Sequence, residues 1–255
     1  MAAIPTQRLR ELYEKTSKHS NYQVLPSLLE PYFTDNTLKV KSRHERERLS
    51  FILAHLNVTG KSVMDIGGNT GYFTFELLQA GANEVTYCEG NVAHAEFVRE
   101  AGQLLGLGNR LDIRNEYFDF AEGNTVPYSD ICLLLNVLHH VGDDYGDSRL
   151  SIAKAREEIC RSLRAMTRHT STLVFQLGFC WKGDRARGLF RDGTKQELIE
   201  FVSASVAGYW EIALIAVPEE IDGKVAYAPL SPSNQGRRDD LGEFLNRPLF
   251  ILNKA

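Results

Sequence analysis

The stretch at residues 62–71, SVMDIGGNTG, constrains the fold more than any other part of the chain. An apolar run with one embedded acid, Asp65, breaks at Gly67 and Gly68, and helical spacing of apolar residues begins after Gly71. This order predicts a buried strand, a tight turn and the start of a helix. Because glycines leave the backbone N–H groups of such a turn uncovered, a ligand can contact the main chain there.

Two classes of ligand are bound by turns of this kind, and the glycine spacing separates them. The dinucleotide fingerprint G-x-G-x-x-G requires glycine at its third position. Counted from Gly67, that position is Asn69, so a nicotinamide dinucleotide is excluded. The pattern present is D-x-G-x-x-x-G, formed by Asp65, Gly67 and Gly71. The alternative interpretation is that this segment is an ordinary glycine-rich loop without a ligand, since strand–glycine–helix turns are common in α/β proteins.

Composition and charge exclude several classes of protein. The 255 residues carry a net charge of −4, which gives no general attraction to nucleic acid or anionic lipid. No apolar run approaches the roughly 20 residues of a membrane-spanning helix, and the N-terminus lacks a signal-peptide core. We therefore expect a cytoplasmic protein without a nucleic-acid partner. The four cysteines lie far apart with no C-x-x-C pair, which predicts reduced thiols and no metal site.

The first part of the chain predicts helices and no strand. Residues 6–22 form an amphipathic leader helix, and residues 40–56 form a longer helix whose first half is charged. A charged half of this kind is most often a solvated face, and the alternative is that Arg43 or Arg48 reaches a carboxylate of the bound ligand. We assign residues 1–56 to an N-terminal helical extension and residues 57–255 to the main domain.

Alternating strand and helix patterns from residue 62 onward predict an α/β protein. The seven predicted strands carry the segments SVMDI, EVTYCEG, LDIRNEYFDF, DICLLLNVLHHV, STLVFQLGF, WEIALIAV and RPLFILNKA. These segments predict a doubly wound, mostly parallel seven-stranded sheet with its ligand at the carboxyl ends of the strands. The segment 179–193 is interpreted as a long functional loop, and the polar segment 218–242 as a surface excursion.

Four signals in order, DIGGNTG, CEG, NEYFD and NVLHHV, resemble the class I S-adenosylmethionine-dependent methyltransferases. The resemblance extends from residue 63 to the C-terminus. It implies the Rossmann-like methyltransferase fold, S-adenosylmethionine as cofactor, and methyl transfer by in-line displacement. It also implies that the helical extension covers the cofactor site.

The resemblance implies roles for individual residues in cofactor binding. Asp65 would contact the ammonium group of the cofactor. Glu89, at the end of the next strand, would accept hydrogen bonds from the ribose hydroxyls. The alternative for Glu89 is a solvated carboxylate at a strand end. Glu116 is the first choice and Asp119 the second for the adenine amine, the alternative being an acid that caps the following turn. Together with Arg48 from the charged helix, the full set of candidate cofactor-binding residues is Asp65, Gly67, Gly68, Asn69, Gly71, Glu89, Gly90, Glu116, Tyr117, Asn136 and Tyr13.

The run NVLHHV supplies the candidate catalytic base, His139 or His140. An alcohol acceptor has a high pKa and must lose its proton during attack. Neighbouring residues on a helix point about 100° apart, so one histidine would face the acceptor and the other would be packed. Which one is the base stays open, with His19 and Asp143 as outside candidates.

A narrower resemblance is to the methyltransferase domain of bacterial enzymes that cap O-antigen polysaccharide chains. The leader RELYEKTSKHSNY, the paired histidines, the Trp181 loop followed by TKQELIE, and the closing RPLFIL carry it. It implies that Tyr13 or Tyr22 folds over the cofactor. It also implies a glycan or related small-molecule acceptor, and allows peripheral membrane association through a glycan assembly complex. Those enzymes often carry a fused kinase and coiled coil, which are not found in this sequence, so we expect methylation of a sugar hydroxyl.

The acceptor and the class of function have alternatives. Arg185, Arg187 and Arg191 could bind an acidic or phosphorylated acceptor, or form a solvated loop. Another small molecule, such as a secondary metabolite, could take the place of the glycan. An RNA or protein acceptor ranks third, because the acidic balance disfavours RNA and no nitrogen-methylating [DN]-P-P-[FYW] tetrapeptide follows the fourth strand. A non-enzymatic protein that binds the cofactor as a regulatory ligand is the alternative from another class.

Overall fold

The structure, a computed structural model, describes residues 3–15, 22–33, 38, 40, 42–121, 124–236 and 238–255. The chain divides into two units, Met1–Phe118 and Asp119–Ala255. The division after residue 56 stays a prediction.

The first unit contains four α-helices and three strands among its described residues. The elements are α1 (Ala3–Glu14), a 3-10 helix (Ser27–Tyr32), α2 (Glu45–His55), β1 (Ser62–Ile66), α3 (Tyr72–Gln79), β2 (Glu84–Cys88), α4 (Val92–Leu104), a 3-10 helix (Gly108–Arg110) and β3 (Leu111–Arg114). The strands lie in the order β3-β2-β1, and both pairings are parallel. The predicted strand, turn and helix at the glycine motif are therefore confirmed.

The leader helix α1 is shorter than the predicted range 6–22, since it ends at Glu14, and it is part of the core of the first unit. Leu9, Leu12 and Tyr13 are buried, and the ring centroid of Tyr13 lies 5.5 Å from that of Phe97 in α4. The apolar stripe read from the sequence is thus covered by another helix of the same unit. Burial removes the apolar surface of these side chains from water. Each such side chain contributes about 1.5–3 kcal/mol, which stabilises the attachment of α1.

The second unit contains the remaining described elements. They are β4 (Ser129–Leu135), a 3-10 helix (Leu138–His140), α5 (Ile152–Ala165), a 3-10 helix (Met166–Arg168), β5 (Thr170–Gln176), a 3-10 helix (Trp181–Gly183), α6 (Lys195–Val206), β6 (Trp210–Ile221), β7 (Lys224–Pro229), two 3-10 helices (Asp239–Leu241, Phe244–Asn246) and β8 (Leu249–Lys254). The strands lie in the order β4-β5-β8-β6-β7. The pair β4–β5 is parallel, and the other three pairs are antiparallel.

The α/β class is confirmed, but the predicted count of seven strands is wrong. The described residues form eight, because the segment 218–242 is not only a surface excursion: β6 continues to Ile221, and β7 returns beside it. The turn between them is Asp222-Gly223, both with positive φ, 52° and 72°. Asp-Gly between two apolar runs is a strong hairpin signal, and the alternation in KVAYA could have revealed β7.

All four cysteines are free thiols, as expected. The capping box of α6 is confirmed, since the Thr194 side chain accepts from the Glu197 N–H while the Glu197 carboxylate accepts from the Thr194 N–H. Within the described ranges, the helices are too short or too polar for any of them to cross a bilayer.

Candidate functional site

The glycine turn after β1 is shaped by three residues in the left-handed conformation. Gly67, Asn69 and Gly71 have φ angles of 71°, 53° and 77°. The Gly67 N–H donates to the Cys88 carbonyl at 2.8 Å, which attaches the turn to the end of β2. Glycine adopts this conformation without steric cost and asparagine does so more readily than most residues, so the sequence matches the backbone.

Gly68 is required by packing within the protein. A Cβ atom at Gly68 would lie 2.6 Å from the Tyr87 ring and 2.9 Å from the Asp65 Oδ2 atom. Tyr87 is buried, and its hydroxyl donates to the Asn69 carbonyl. Tyr87 was not among the site residues predicted from the sequence. The available signal was its place in β2, where it pairs with Asp65 of β1.

Asp65 is a buried carboxylate at the carboxyl end of β1. Its residue is 3% exposed, and its Oδ2 atom accepts a hydrogen bond from the Thr74 Oγ1 atom in α3 at 2.7 Å. Burial raises the pKa of Asp65 to about 6; the Thr74 hydrogen bond opposes the rise, and the negative charge of Glu89 adds to it. A desolvated carboxylate of this kind gains free energy from a nearby cation.

Glu89 is held across the glycine turn by two backbone N–H groups. Its Oε2 atom accepts from Asn69 N at 2.9 Å, and its Oε1 atom accepts from Asn91 N at 2.8 Å. Asn91 in turn caps α4, since its Oδ1 atom accepts from Ala93 N at 2.9 Å. These two N–H groups fix the orientation of the Glu89 carboxylate at the edge of the glycine turn.

The loop after β3 covers the end of β2. The Asn115 Nδ2 atom donates to the Glu89 carbonyl at 2.8 Å. The Tyr117 ring lies over Gly90, where a Cβ atom would be 2.4 Å from the ring, although 54% of Tyr117 is exposed. Glu116 is exposed beside it. This loop therefore presents an aromatic ring over Gly90, the residue after Glu89, and an exposed acid adjacent to that ring in sequence.

Asp119, the second choice for adenine, belongs to the other unit and has a local role. Its Oδ1 atom accepts from Ala121 N at 2.8 Å, which is the turn-capping arrangement given as the alternative. His19, the outside candidate for the base, lies beyond the described residues.

The two tyrosines expected to cover the cofactor differ in burial. Tyr13 is 1% exposed, and its hydroxyl donates to the Gln23 carbonyl, so it is a core residue. Burial raises the pKa of Tyr13 well above its usual range. Tyr22 is half-buried, with the Arg43 guanidinium 4.1 Å from its ring centroid.

The charged half of α2 is not a solvated face at two of its positions. Glu45 and Arg48 are both buried. The Arg48 Nη2 atom donates to the Arg43 carbonyl at 3.3 Å and lies 3.8 Å from the Glu45 carboxylate. The Arg48 guanidinium also lies 5.3 Å from the Phe73 ring centroid, at the start of α3. Arg48 is therefore engaged within the first unit beside the helix that follows the glycine turn.

In the second unit, the residue after β4 is held by a buried polar network. The Asn136 Nδ2 atom donates to Gln176 Oε1 at 2.9 Å, and its Oδ1 atom accepts from Arg247 Nη1 at 2.8 Å. Arg247 makes a two-pronged ion pair with Glu243, whose Oε1 atom also accepts from Phe179 N at 3.0 Å. Both ends of the Asn136 amide are thus used inside the unit. The sequence did not predict the partners of Asn136, which lie far from it along the chain: Gln176, Glu243 and Arg247.

The paired histidines have different surroundings. His139 is 2% exposed, and its Nδ1 atom accepts from Gly178 N at 3.3 Å, which places its proton on Nε2. A Cβ atom at Gly178 would lie 2.9 Å from that ring, so His139 is tightly packed. The His140 side chain is 14% exposed, and the two ring centroids are 4.2 Å apart.

His140 lies beside two carboxylates. Its Nδ1 atom is 3.4 Å from Asp144 Oδ2 and 3.8 Å from Asp143 Oδ2. A carboxylate at Nδ1 favours the tautomer with its proton there and leaves Nε2 as the basic nitrogen. Ligand atoms of the three residues lie within 4.8 Å of one another, so the same group could also hold a metal ion.

The segment 179–193 is fixed to the histidine turn by Trp181. The indole Nε1 atom donates to the Val141 carbonyl at 2.7 Å, and the ring is buried. Two of the three loop arginines are in ion pairs with neighbouring acids, Arg187 with Asp184 at 3.3 Å and Arg191 with Asp192 at 2.7 Å. These pairs leave Arg185 as the exposed loop arginine with no ion pair among the described residues.

Most of the predicted residues thus fall into two groups, one within each unit. In the first unit, Asp65, the glycine turn, Glu89, Gly90 and Tyr117 lie at the carboxyl ends of β1 and β2. In the second unit, Asn136, His139 and His140 follow β4.

Comparisons with known proteins bear on the fold. The chain matches no family model, and no curated protein sequence matches it at a significant level. Magnesium protoporphyrin IX methyltransferase from Synechocystis PCC 6803, solved with bound S-adenosylmethionine, is 14% identical with a TM-score of 0.51, covering 100% of this chain and 93% of that one. The bifunctional kinase-methyltransferase WbdD is 15% identical with a TM-score of 0.59. That match covers 96% of this chain and 47% of WbdD.

These similarities define the class of fold. The chain has the fold of the S-adenosylmethionine-dependent methyltransferases, as the sequence resemblance predicts. It spans about half the length of WbdD, and the identities are low, so the likeness concerns the fold and not the acceptor.

The raised pKa of Asp65 predicts a pH-dependent effect of Asp65→Asn on stability. The folded chain binds the Asp65 proton more tightly than the unfolded chain does. Above pH 6 the carboxylate is charged in both states, and its burial destabilises the fold. This destabilisation is lost as the pH falls toward 4. Two pKa units correspond to about 3 kcal/mol as an upper limit. Urea unfolding should find Asp65→Asn more stable than wild type at pH 7.5 and equal to it near pH 4.

The control for this measurement is Glu84→Gln, which removes an exposed carboxylate from the first residue of β2. It should change stability little at either pH. A stability difference for Asp65→Asn that is the same at both pH values would contradict the assignment to burial of a charge.

Proposed function

We propose that the protein is an S-adenosylmethionine-dependent O-methyltransferase whose cofactor is bound at the glycine turn of the first unit. The observation that carries the proposal is the pair of acids at this turn. Asp65 is buried with a raised pKa, and Glu89 is held in a fixed orientation by Asn69 N and Asn91 N. An adenosyl amino acid offers a cation to the first acid and two hydroxyl donors to the second.

The residues around the turn fit the other parts of this cofactor. The exposed face of Tyr117 and the neighbouring carboxylate of Glu116 suit a flat ring with an exocyclic amine. Gly67, Asn69 and Gly71 keep the turn open, while Gly68 and Gly90 are explained by contacts with Tyr87 and Tyr117. When bound, S-adenosylmethionine supplies a methyl group activated by its positive sulfur.

We assign the catalytic base to His140. The negative charge of Asp144, whose Oδ2 atom lies 3.4 Å from Nδ1, favours the tautomer whose Nε2 atom can take the proton of an acceptor hydroxyl. His139 is less suitable, because its Nδ1 atom is occupied by Gly178 N and its ring is buried. His139 instead packs against Gly178, just beyond the end of β5.

For the acceptor, we propose a sugar hydroxyl of a bacterial glycan or a related small molecule. The proposal rests on the resemblance in the leader, the paired histidines and the Trp181 loop. The exposed guanidinium of Arg185, which has no ion pair with any residue that the structure describes, supports an acceptor that carries an anionic group. The acceptor classes can be distinguished by incubation with methyl-labelled cofactor and a panel of neutral glycans, acidic glycans and small phenolic metabolites. The measurement is transfer of the label to each compound.

Cofactor binding provides the direct test of the proposed function. Calorimetry should detect binding of S-adenosylhomocysteine to the wild type. Asp65→Ala should weaken it by about 10- to 100-fold, as expected for loss of a charged hydrogen-bond partner of about 1.5–3 kcal/mol. The control is Asp112→Ala, which removes an acid on the exposed side of β3. Unchanged affinity in Asp65→Ala, with fold verified by circular dichroism, would remove the basis of the proposal.

The histidine assignment predicts different outcomes for two matched variants. His140→Gln should lower kcat by about 100-fold or more at unchanged cofactor affinity, since it removes a general base. Asp144→Asn should lower kcat less, and His139→Gln should mainly lower the melting temperature because it disturbs a packed side chain. Wild-type turnover in His140→Gln would refute the assignment of the base. Loss of wild-type turnover in EDTA would instead indicate that His140, Asp143 and Asp144 bind a metal ion.

A further inference from the structure

Gln23 joins the segment after α1 to the far end of the glycine turn. Its Oε1 atom accepts from Thr70 Oγ1 at 3.3 Å and from Tyr72 N at 3.1 Å. Thr70 and Tyr72 flank Gly71, where the turn passes into α3. The Gln23 carbonyl accepts from the hydroxyl of Tyr13, a core residue. The position of this side chain is therefore set from both its backbone and its amide.

The amide orientation of Gln23 follows from its partners. A backbone N–H only donates, so the side-chain atom facing Tyr72 N must be the oxygen. The Nε2 group, with two N–H donors, is therefore turned away from α3. None of the described residues accepts a hydrogen bond from it, and the Gln23 side chain is half-buried. A prepositioned amide donor thus lies beside the proposed cofactor turn.

The chemistry around the turn indicates what this donor would bind. Asp65 and Glu89 are both negative, and they suit the ammonium group and the ribose. The carboxylate of an adenosyl amino acid needs donors, and neither acid can provide one at neutral pH. Arg48, the sequence-based candidate, already contacts the Arg43 carbonyl and the Glu45 carboxylate.

We infer that the Gln23 side-chain NH₂ group binds the carboxylate of the cofactor's amino-acid part. The inference rests on the proposed function and assigns one more binding residue to the same site. In this arrangement, one amide serves two purposes. Its oxygen satisfies an N–H group at the start of α3, and its nitrogen recognises the ligand, so ligand recognition is joined to the shape of the turn.

The test compares two ligands in Gln23→Glu. The glutamate keeps an oxygen for Thr70 and Tyr72, and a negative charge is favourable at a helix N-terminus, so the fold is retained. The donor, however, is replaced by an oxygen with like charge to the ligand carboxylate. We expect S-adenosylhomocysteine affinity to fall at least 10-fold by calorimetry. Affinity for methylthioadenosine, which lacks the amino-acid part, should stay within about twofold of wild type.

Two further variants complete the design. Gln103→Glu makes the same chemical change at an exposed position of α4 and should leave both affinities unchanged. If Gln23→Glu does not fold, Gln23→Met keeps the chain length without a donor and should show the same difference between the ligands. Equal affinity of Gln23→Glu and wild type for S-adenosylhomocysteine, or equal weakening of both ligands, would overturn the inference. Failure of the wild type to bind either ligand would instead overturn the proposed function.

Discussion

The parallel pairing of β1 with β2 sets the geometry on which the candidate cofactor site depends. This register places Asp65 opposite Tyr87 and Ile66 opposite Cys88, so Glu89 follows directly beyond the end of β1. The backbone of the glycine turn then supplies the N–H group that holds the Glu89 carboxylate. A shift of one residue in either strand would turn Asp65 or Tyr87 to the other face of the sheet and separate the two acids.

The features that depend on local sequence could be predicted. The glycine turn, the leader helix, the capping box of α6 and the apolar β4 strand are each encoded within about ten consecutive residues, where propensity and periodicity apply directly. The resemblance to methyltransferases rests on such local segments as well, and the fold agrees with it. The β6–β7 hairpin was not predicted, although its Asp-Gly turn is also a local signal. The prolines and polar residues around this turn are typical of a surface loop.

The features that depend on distant contacts could not be predicted in the same way. Burial of Glu45 and Arg48 is decided by the residues that cover α2, and a charged sequence gives no sign of it. The link from Tyr13 through Gln23 to Tyr72 joins residues up to 59 positions apart, and the Asn136–Arg247 contact spans 111 positions. The different surroundings of the two histidines likewise come from Gly178 and Asp144, which lie outside the NVLHHV run.

The packing of Tyr87 has a consequence for how the glycine turn meets a ligand. Its ring fills the space in front of Gly68, and its hydroxyl holds the Asn69 carbonyl, so the left-handed backbone is maintained by the protein alone. A molecule that arrives at this turn encounters a preorganised surface, and little conformational entropy is lost there on association. Selectivity at this point is consequently a matter of rigid shape complementarity, with adaptation to different ligands left to the longer segments around it.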